Sequence, residues 1–385
     1  MMHRYLVLGT NMGTGIAHAL LQQEDTIYIT LVDRSSTALN TAVNRLLDWR
    51  LGARVIDIKH TRQIADLIEQ HDVTIGAMSY EANLALTHAC IEAGKHFVDL
   101  GGNNTVVRKQ LMLDQTAIGS GSKIVPDNGI APGAASVLVH RGLQIIDEEG
   151  EIDSVEIRVG GLAQSGPEGP LNYSQLFAIK GLTNEYIEPT LVIRDGRLQT
   201  VDTMENVESI DFPEPYGRLE AAYTSGGLST MPETLIGRVR NLDYKTLRYP
   251  GHWQKMQLLR DMGFLDEHHL ITTGHGQVVL PRDFTEALLN ARLPKTRDDA
   301  LLLRITVRHG EKLVTMQLID VADKETGLTA MQRTTGFSAA IVAMMLARGT
   351  IKQTGVMKLK ESIPTRRFIQ EWSKLGLHLE ITRNF

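Results

Sequence analysis

From Arg4 to Pro126, short and continuously apolar runs alternate with stretches of helical periodicity, and this alternation restricts the fold more than any other feature. The runs cover residues 4–9, 26–33, 54–58, 73–78, 96–100 and 122–126. Between them apolar residues share one helix face, as Ala38, Leu39, Ala42, Val43, Leu46 and Leu47 do behind a Ser36 cap. Strands without in–out alternation are covered on both faces, so the pattern predicts an α/β fold with a Rossmann-type, doubly wound parallel sheet. Beyond Pro132 a helix over 133–146 leads into runs at 155–159, 191–194, 218–223, 241–249, 301–308 and 313–321. These alternate more, as in Arg304-Ile-Thr-Val-Arg-His309, and are broken by Gly160-Gly161, Gly226-Gly227 and Pro250-Gly251. They predict an α+β region with a mixed, largely antiparallel sheet. A strong helix over 336–348, another over 365–375 and a strand over 377–382 close the chain. The expected organisation is a dinucleotide-binding region (1–132), a second region (133–332) and C-terminal helices (333–385).

Composition removes several classes of function. Forty Lys and Arg against 45 Asp and Glu leave a net charge of −5, so no basic surface calls for nucleic acid. A single cysteine, Cys90, excludes an intramolecular disulfide framework and any Cys-rich zinc module, and reads as a small buried hydrophobe. The longest helix-like apolar run, 339–347, falls short of the ~20 residues of a membrane span. No long apolar leader follows Met1, so a cytoplasmic protein is expected. His268 and His269 cannot share one helix face, no Cys or acidic cluster accompanies them and His275, and no metal is expected.

The turn Gly9-Thr-Asn-Met-Gly13-Thr-Gly15 follows the first run and opens the first helix. Such a turn lets backbone approach a pyrophosphate, and the helix end supplies free N–H groups and positive potential. The spacing is GxxxGxG, with Asn11 where GxGxxG has its second glycine; Gly9, Asn11, Met12 and Gly13 are the candidate cofactor contacts. Asp33 closes the second run at the offset of a ribose-binding acid and favours NAD, while neighbouring Arg34 leaves NADP open. None of the nine tyrosines has a lysine four positions on, which disfavours a Tyr-x-x-x-Lys mechanism.

A second set of motifs comprises Asp99-Leu-Gly-Gly102, Asp127-Asn-Gly-Ile-Ala-Pro-Gly133, Thr224-Ser-Gly-Gly227 and Lys245-Thr-Leu-Arg-Tyr-Pro-Gly-His252. The first two end strands on the edge where open α/β sheets bind ligands. In the last, Lys245, Leu247 and Tyr249 share one face of a strand, Thr246 and Arg248 the other. Arg248 suits a carboxylate, and Lys245 or His252 suits proton transfer near neutral pH.

These motifs, with Val159-Gly-Gly161, Leu171-Asn-Tyr173, Leu191-Val-Ile-Arg-Asp-Gly196 and Arg333-Thr-Thr-Gly336, resemble the saccharopine dehydrogenase-like reductases over nearly the whole chain, and among them most the lysine 6-dehydrogenases. The resemblance implies a substrate and dimerisation region around the mixed sheet, C-terminal helices that return to the dinucleotide-binding region, and a homodimer or higher homo-oligomer. It implies hydride transfer between a nicotinamide and a carbon bearing an amine, first of all C6 of L-lysine. A reductase joining an amine to an oxo compound through an imine is the alternative, and a non-catalytic nucleotide-binding protein a third. It places substrate contacts at Tyr173, Arg248, Asp127 and Thr224, proton transfer at Lys245 or His252, and further cofactor contacts at Gly101, Gly102 and Gly129.

Overall fold

In the computed structural model, which describes residues 1–146, 150–358 and 363–385, the first third supplies six strands of a seven-stranded parallel sheet. Across the sheet the seven are Gly355–Val356, Lys123–Val125, His96–Asp99, Val73–Gly76, His3–Leu8, Thr26–Asp33 and Leu51–Val55. Read by chain position, six of them follow the doubly wound order, which reverses beside His3–Leu8 and opens a crevice at the strand ends there. The third strand lies at 51–55 rather than 54–58. Ile56 and Ile58 leave the sheet and pack, half-buried, on the cluster around Leu6, Leu8 and Ile64. The seventh strand is supplied by the C-terminal segment and has only two residues, too short for periodicity to reveal.

Among the described residues the second sheet has nine strands. Its centre is Ile152–Ala163, parallel to Val239–Arg248 on one side and antiparallel to Asp299–His309 on the other. Only the first of these pairings is parallel, so the sheet is mixed and largely antiparallel. The last strand, Glu380–Arg383, joins it beside Lys312–Val321.

Helix Ala330–Ala347 lies between the sheets and packs on strands of both. It is apolar nearly all round, which suits complete burial. It starts six residues before the expected 336 because Thr329 and Gln332 form a reciprocal capping box. Against it lies helix Asn11–Leu21, so close that a Cβ on Gly15 would stand 2.1 Å from the Gln332 carbonyl oxygen. Gly336 meets the Ile16 nitrogen in the same way, at 2.9 Å. The Gln332 side chain donates to the Asn11 carbonyl at 2.7 Å. The glycine turn is thus braced from behind by a helix more than three hundred residues later in the chain.

Candidate active site

The crevice at the strand ends continues into a cleft of about 980 Å³ between the two sheets. At its floor the backbone leaves strand His3–Leu8 through Gly9 at φ +100°, and a Cβ there would lie 2.5 Å from the Ala77 carbonyl oxygen. Only glycine adopts that conformation with backbone so near. No side chain caps helix Asn11–Leu21, and Thr10, Asn11 and Met12 stand at the cleft wall. An uncapped helix start behind a glycine turn suits a pyrophosphate. Gly101, Gly102 and Gly129 line the cleft as expected from sequence. Gly13 does not; it lies behind the turn, where a Cβ would meet Val7.

Asp33 and Arg34 line the far end of the cleft, joined by Asp57 and Lys59 from the loop after the third strand. The Asp33 carboxylate is already engaged: one oxygen accepts from the Thr10 backbone N–H (3.0 Å) and hydroxyl (2.7 Å), the other from the Ser35 N–H (2.9 Å). Arg34 and Lys59 form no ion pair among the described residues.

On the opposite wall, strand Val239–Arg248 presents Tyr244, Thr246 and Arg248 to the cleft. Helix Ile179–Ile187 adds Asn184 and Glu185, and lies in a stretch for which sequence reasoning named no element. Arg248 is the anchor. Its Nε donates to the Tyr186 hydroxyl (3.1 Å), its Nη1 to the Leu247 carbonyl (2.9 Å), and its Nη2 lies 3.7 Å from Glu185 Oε2. Its guanidinium also stands over the rings of Tyr173 (5.1 Å) and Trp253 (5.8 Å). Burial works against its charge, but the tyrosines and Glu185 hold the proton on. Glu185 is only partly covered, and burial pushes its carboxyl up to about 7 against the pull of Arg248. A carboxyl that titrates near neutrality beside a fixed cation suits both holding and moving a proton.

Several residues assigned from sequence lie elsewhere. Lys245 is on the far face of its strand, 1% exposed, and its ammonium donates to Glu208 (2.7 Å) and to the Asn206 carbonyl (2.8 Å). The alternation of the strand forces this, since Arg248 and Lys245 cannot share a face. His252 is fully buried, and both ring nitrogens are used. Nδ1–H donates to the Leu171 carbonyl (2.9 Å) and Nε2 accepts from the Tyr186 hydroxyl (3.0 Å). Burial, reinforced by Arg248, pushes its pKa down to about 3, so the ring stays neutral. It orients Tyr186, which orients Arg248. Tyr173 is packed behind Arg248 and tilted on His252. Thr224 is buried behind the wall, its hydroxyl 2.7 Å from that of Thr246. Asp127 turns away from the cleft into a small cavity of about 20 Å³, where it accepts from the Ser229 hydroxyl. Burial and neighbouring Asp99 push its carboxyl up to about 7. Asp99 itself joins two strand ends, accepting from the Gly101 and Asp127 N–H groups and from Gln110.

No helix of the described residues is long and apolar enough to cross a membrane. Among those residues no three His, Cys, Asp or Glu gather as metal ligands do.

Comparison with known proteins agrees with this architecture. Residues 6–125 match the family model described as the saccharopine dehydrogenase NADP binding domain, and residues 129–377 the saccharopine dehydrogenase C-terminal domain. The saccharopine dehydrogenase [NADP(+), L-glutamate-forming] of Schizosaccharomyces pombe is 24% identical over 267 residues, 66% of this chain and 58% of the relative. The Pyricularia oryzae protein of the same name is 23% identical over 55% of this chain and 47% of its own length. The chain thus spans about half the length of the curated relatives it matches. Among solved structures, the apo saccharopine dehydrogenase (L-Glu forming) of Saccharomyces cerevisiae superposes with a TM-score of 0.78 at 17% identity, covering all of both chains. The homospermidine synthase of Legionella pneumophila, solved with NAD, gives 0.72 at 11% identity, covering 99% of this chain and 92% of its own. With both domain models matched in order and the fold shared from end to end, the chain belongs to the saccharopine dehydrogenase family.

Proposed function

We propose that this chain is an NADP-dependent oxidoreductase acting at a carbon–nitrogen bond of an amino-acid substrate, with the terminal amine of L-lysine as the first substrate to test. The observation that carries the reading is the pairing of Glu185 with Arg248 on the cleft wall facing the glycine turn. The guanidinium, fixed by Tyr186 and the Leu247 carbonyl, is set to grip one carboxylate. Glu185 is set to take the proton of an ammonium, because only a free amine can release hydride from its carbon. A nicotinamide dinucleotide would supply the hydride acceptor or donor when bound, with Gly9, Asn11 and Met12 toward its pyrophosphate and Gly101, Gly102 and Gly129 along the same cleft.

The cleft is balanced in charge: Arg34, Lys59, Lys180 and Arg248 face Asp33, Asp57, Glu81 and Glu185. Lys180 is itself paired with Glu81 at 2.7 Å. A substrate with a single carboxylate suits that balance better than one with several. The second reading, a reductase that joins an amine and an oxo acid, is favoured by the names of the relatives, saccharopine dehydrogenase and homospermidine synthase. Absorbance at 340 nm separates the readings. Reduction of NADP by L-lysine alone supports the first. Oxidation of NADPH only when an amine and an oxo acid are both present replaces it with the second. Silence with every amine overturns both.

The proposed preference for NADP over NAD rests on Arg34 and Lys59, which have no ion-pair partner among the described residues, beside an Asp33 whose carboxylate accepts from Thr10 and Ser35. Arg34→Ala combined with Lys59→Ala is expected to lower kcat/KM for NADP by about 10–100-fold, the loss of one or two charge-assisted hydrogen bonds, and to leave NAD little changed. An equal loss for both cofactors would remove the assignment.

A further inference from the structure

Both ends of the motif Thr224-Ser-Gly-Gly227 serve one side chain on the cleft wall, Tyr244. At one end, the Thr224 hydroxyl lies 2.7 Å from that of Thr246, and Thr246 donates to the Tyr244 hydroxyl at 3.2 Å. At the other end, Gly227 lies against the ring. A Cβ there would stand 2.4 Å from Tyr244 Cδ1 and Cε1 and 2.5 Å from Cζ, so the close approach requires glycine. The residues between, Ser225 and Gly226, line the cleft, and Ser225 donates to the Asn184 carbonyl at 3.1 Å. Tyr244 itself is 6% exposed. Its ring is clamped by backbone on one side and its oxygen is fixed by a threonine pair on the other.

A hydroxyl has one proton to give. Thr246 gives its proton to Tyr244, so Thr224 is the donor to Thr246, and the chain runs one way, from Thr224 through Thr246 to Tyr244. The Tyr244 oxygen therefore accepts, and its own proton has no partner among the described residues. Tyr186, behind Arg248, differs in this respect: it accepts from Arg248 and donates to His252. Burial, reinforced by Glu185, pushes the Tyr244 pKa up, and the phenol keeps its proton. Hydrogen bonds aligned in one direction strengthen the last donor of the chain. Tyr244 thus offers the cleft a fixed, neutral donor whose oxygen is already occupied. Such a group suits an oxygen acceptor and not an ammonium.

Apart from the carboxylate, which Arg248 takes, a substrate oxygen enters the proposed reaction at one stage. Loss of hydride from the amine-bearing carbon leaves a carbon–nitrogen double bond. Water adds its oxygen to that carbon, the nitrogen leaves as ammonium, and a carbonyl remains. We propose that Tyr244 holds this carbonyl oxygen and is the binding residue for the oxo form of the substrate. The assignment rests on the oxidoreductase reading given above.

Tyr244→Phe keeps the ring beneath Gly227 and leaves Thr246 its Thr224 partner. Kinetics at 340 nm test the proposal, with L-lysine and NADP in one direction and 2-aminoadipate 6-semialdehyde, ammonia and NADPH in the other. The KM for the semialdehyde is expected to rise about tenfold, the loss of one hydrogen bond in a buried site, with kcat in that direction unchanged. The KM for L-lysine, which has no oxygen on the reacting carbon, is expected to stay as in wild type. Because the equilibrium constant of the reaction is fixed, kcat for L-lysine then falls by the same factor. NADPH affinity and the pH dependence due to Glu185 stay as in wild type. Thr246→Val, which keeps the phenol and removes the donor behind it, is expected to raise the semialdehyde KM by about threefold. An unchanged semialdehyde KM in Tyr244→Phe, or an equal rise for both substrates, overturns the proposal and leaves the reading standing. If wild type oxidises NADPH only with L-lysine and an oxo acid together, the same rise is expected in the KM of the oxo acid, and its absence overturns the proposal. Silence of the wild type in both directions removes the reading and the proposal with it.

Discussion

Glu185→Gln is expected to lower kcat by about 10²–10⁴-fold, the usual contribution of a positioned acid or base, while NADPH still binds. The amide keeps the size of the side chain but cannot take a proton. The pH profile provides the sharper readout. Burial pushes the Glu185 carboxyl up to about 7. Amine oxidation needs the carboxylate form, so its rate should rise with pH through about 7 and then level off. The reverse reduction needs the protonated form and should fall across the same range. Glu185→Gln should remove that limb in both directions, and Glu185→Asp should restore part of the rate. Lys245→Met is the control from the other face of the wall. It deprives Glu208 of one of its two cationic partners, Arg158 remaining. The expected cost is about 1–3 kcal/mol of stability in urea, with kcat within threefold of wild type. Loss of turnover in Lys245→Met at unchanged stability would return the proton-transfer role to the lysine and remove it from Glu185.

The second large effect is expected at Gly15. A methyl group there would stand 2.1 Å from the Gln332 carbonyl oxygen, a distance that two atoms can relieve only by moving a helix. Protein interiors do not yield by that amount without cost. Gly15→Ala is expected to lose about 2–3 kcal/mol, the upper range of overpacking, and Gly15→Val to leave little folded protein, since total stability is only about 5–15 kcal/mol. Cofactor affinity should fall with it, because the displaced helix carries Gln332, whose side chain holds the Asn11 carbonyl. Urea denaturation measures the first effect and NADPH fluorescence the second. Equal stability of Gly15→Ala and wild type would mean that the two helices are not in this contact.

The two sheets were legible in the sequence where strands are long or continuously apolar, as at Thr26–Asp33 and Lys312–Val321. Short strands were not, because two residues such as Gly355–Val356 carry no period. That the turn at Gly9 and the strand end at Asp33 line one cleft was legible because a glycine turn and a strand-terminal acid are local signals. The other wall was not, for two reasons. The chemically varied Lys245–His252 segment drew attention to residue type, whereas the alternation of the strand decides that Arg248 faces the cleft and Lys245 does not. Glu185 lies on a helix whose period was present in Ile179, Leu182 and Tyr186, all buried. Nothing in the sequence brings that helix beside Arg248. The pairing is made by tertiary structure across more than sixty residues.

The seventh strand and the helix behind the glycine turn both come from the last sixty residues. During synthesis, the part of the chain that binds the nucleotide therefore leaves the ribosome unfinished. One edge of its sheet lacks a partner and the face of helix Asn11–Leu21 that will receive Gly336 is bare until residues 330–356 have been made. Folding of this half cannot be completed domain by domain from the N-terminus. It waits for a contact of very large sequence separation, the kind that forms slowly and leaves apolar surface exposed meanwhile. An isolated N-terminal fragment would carry the same exposed face permanently.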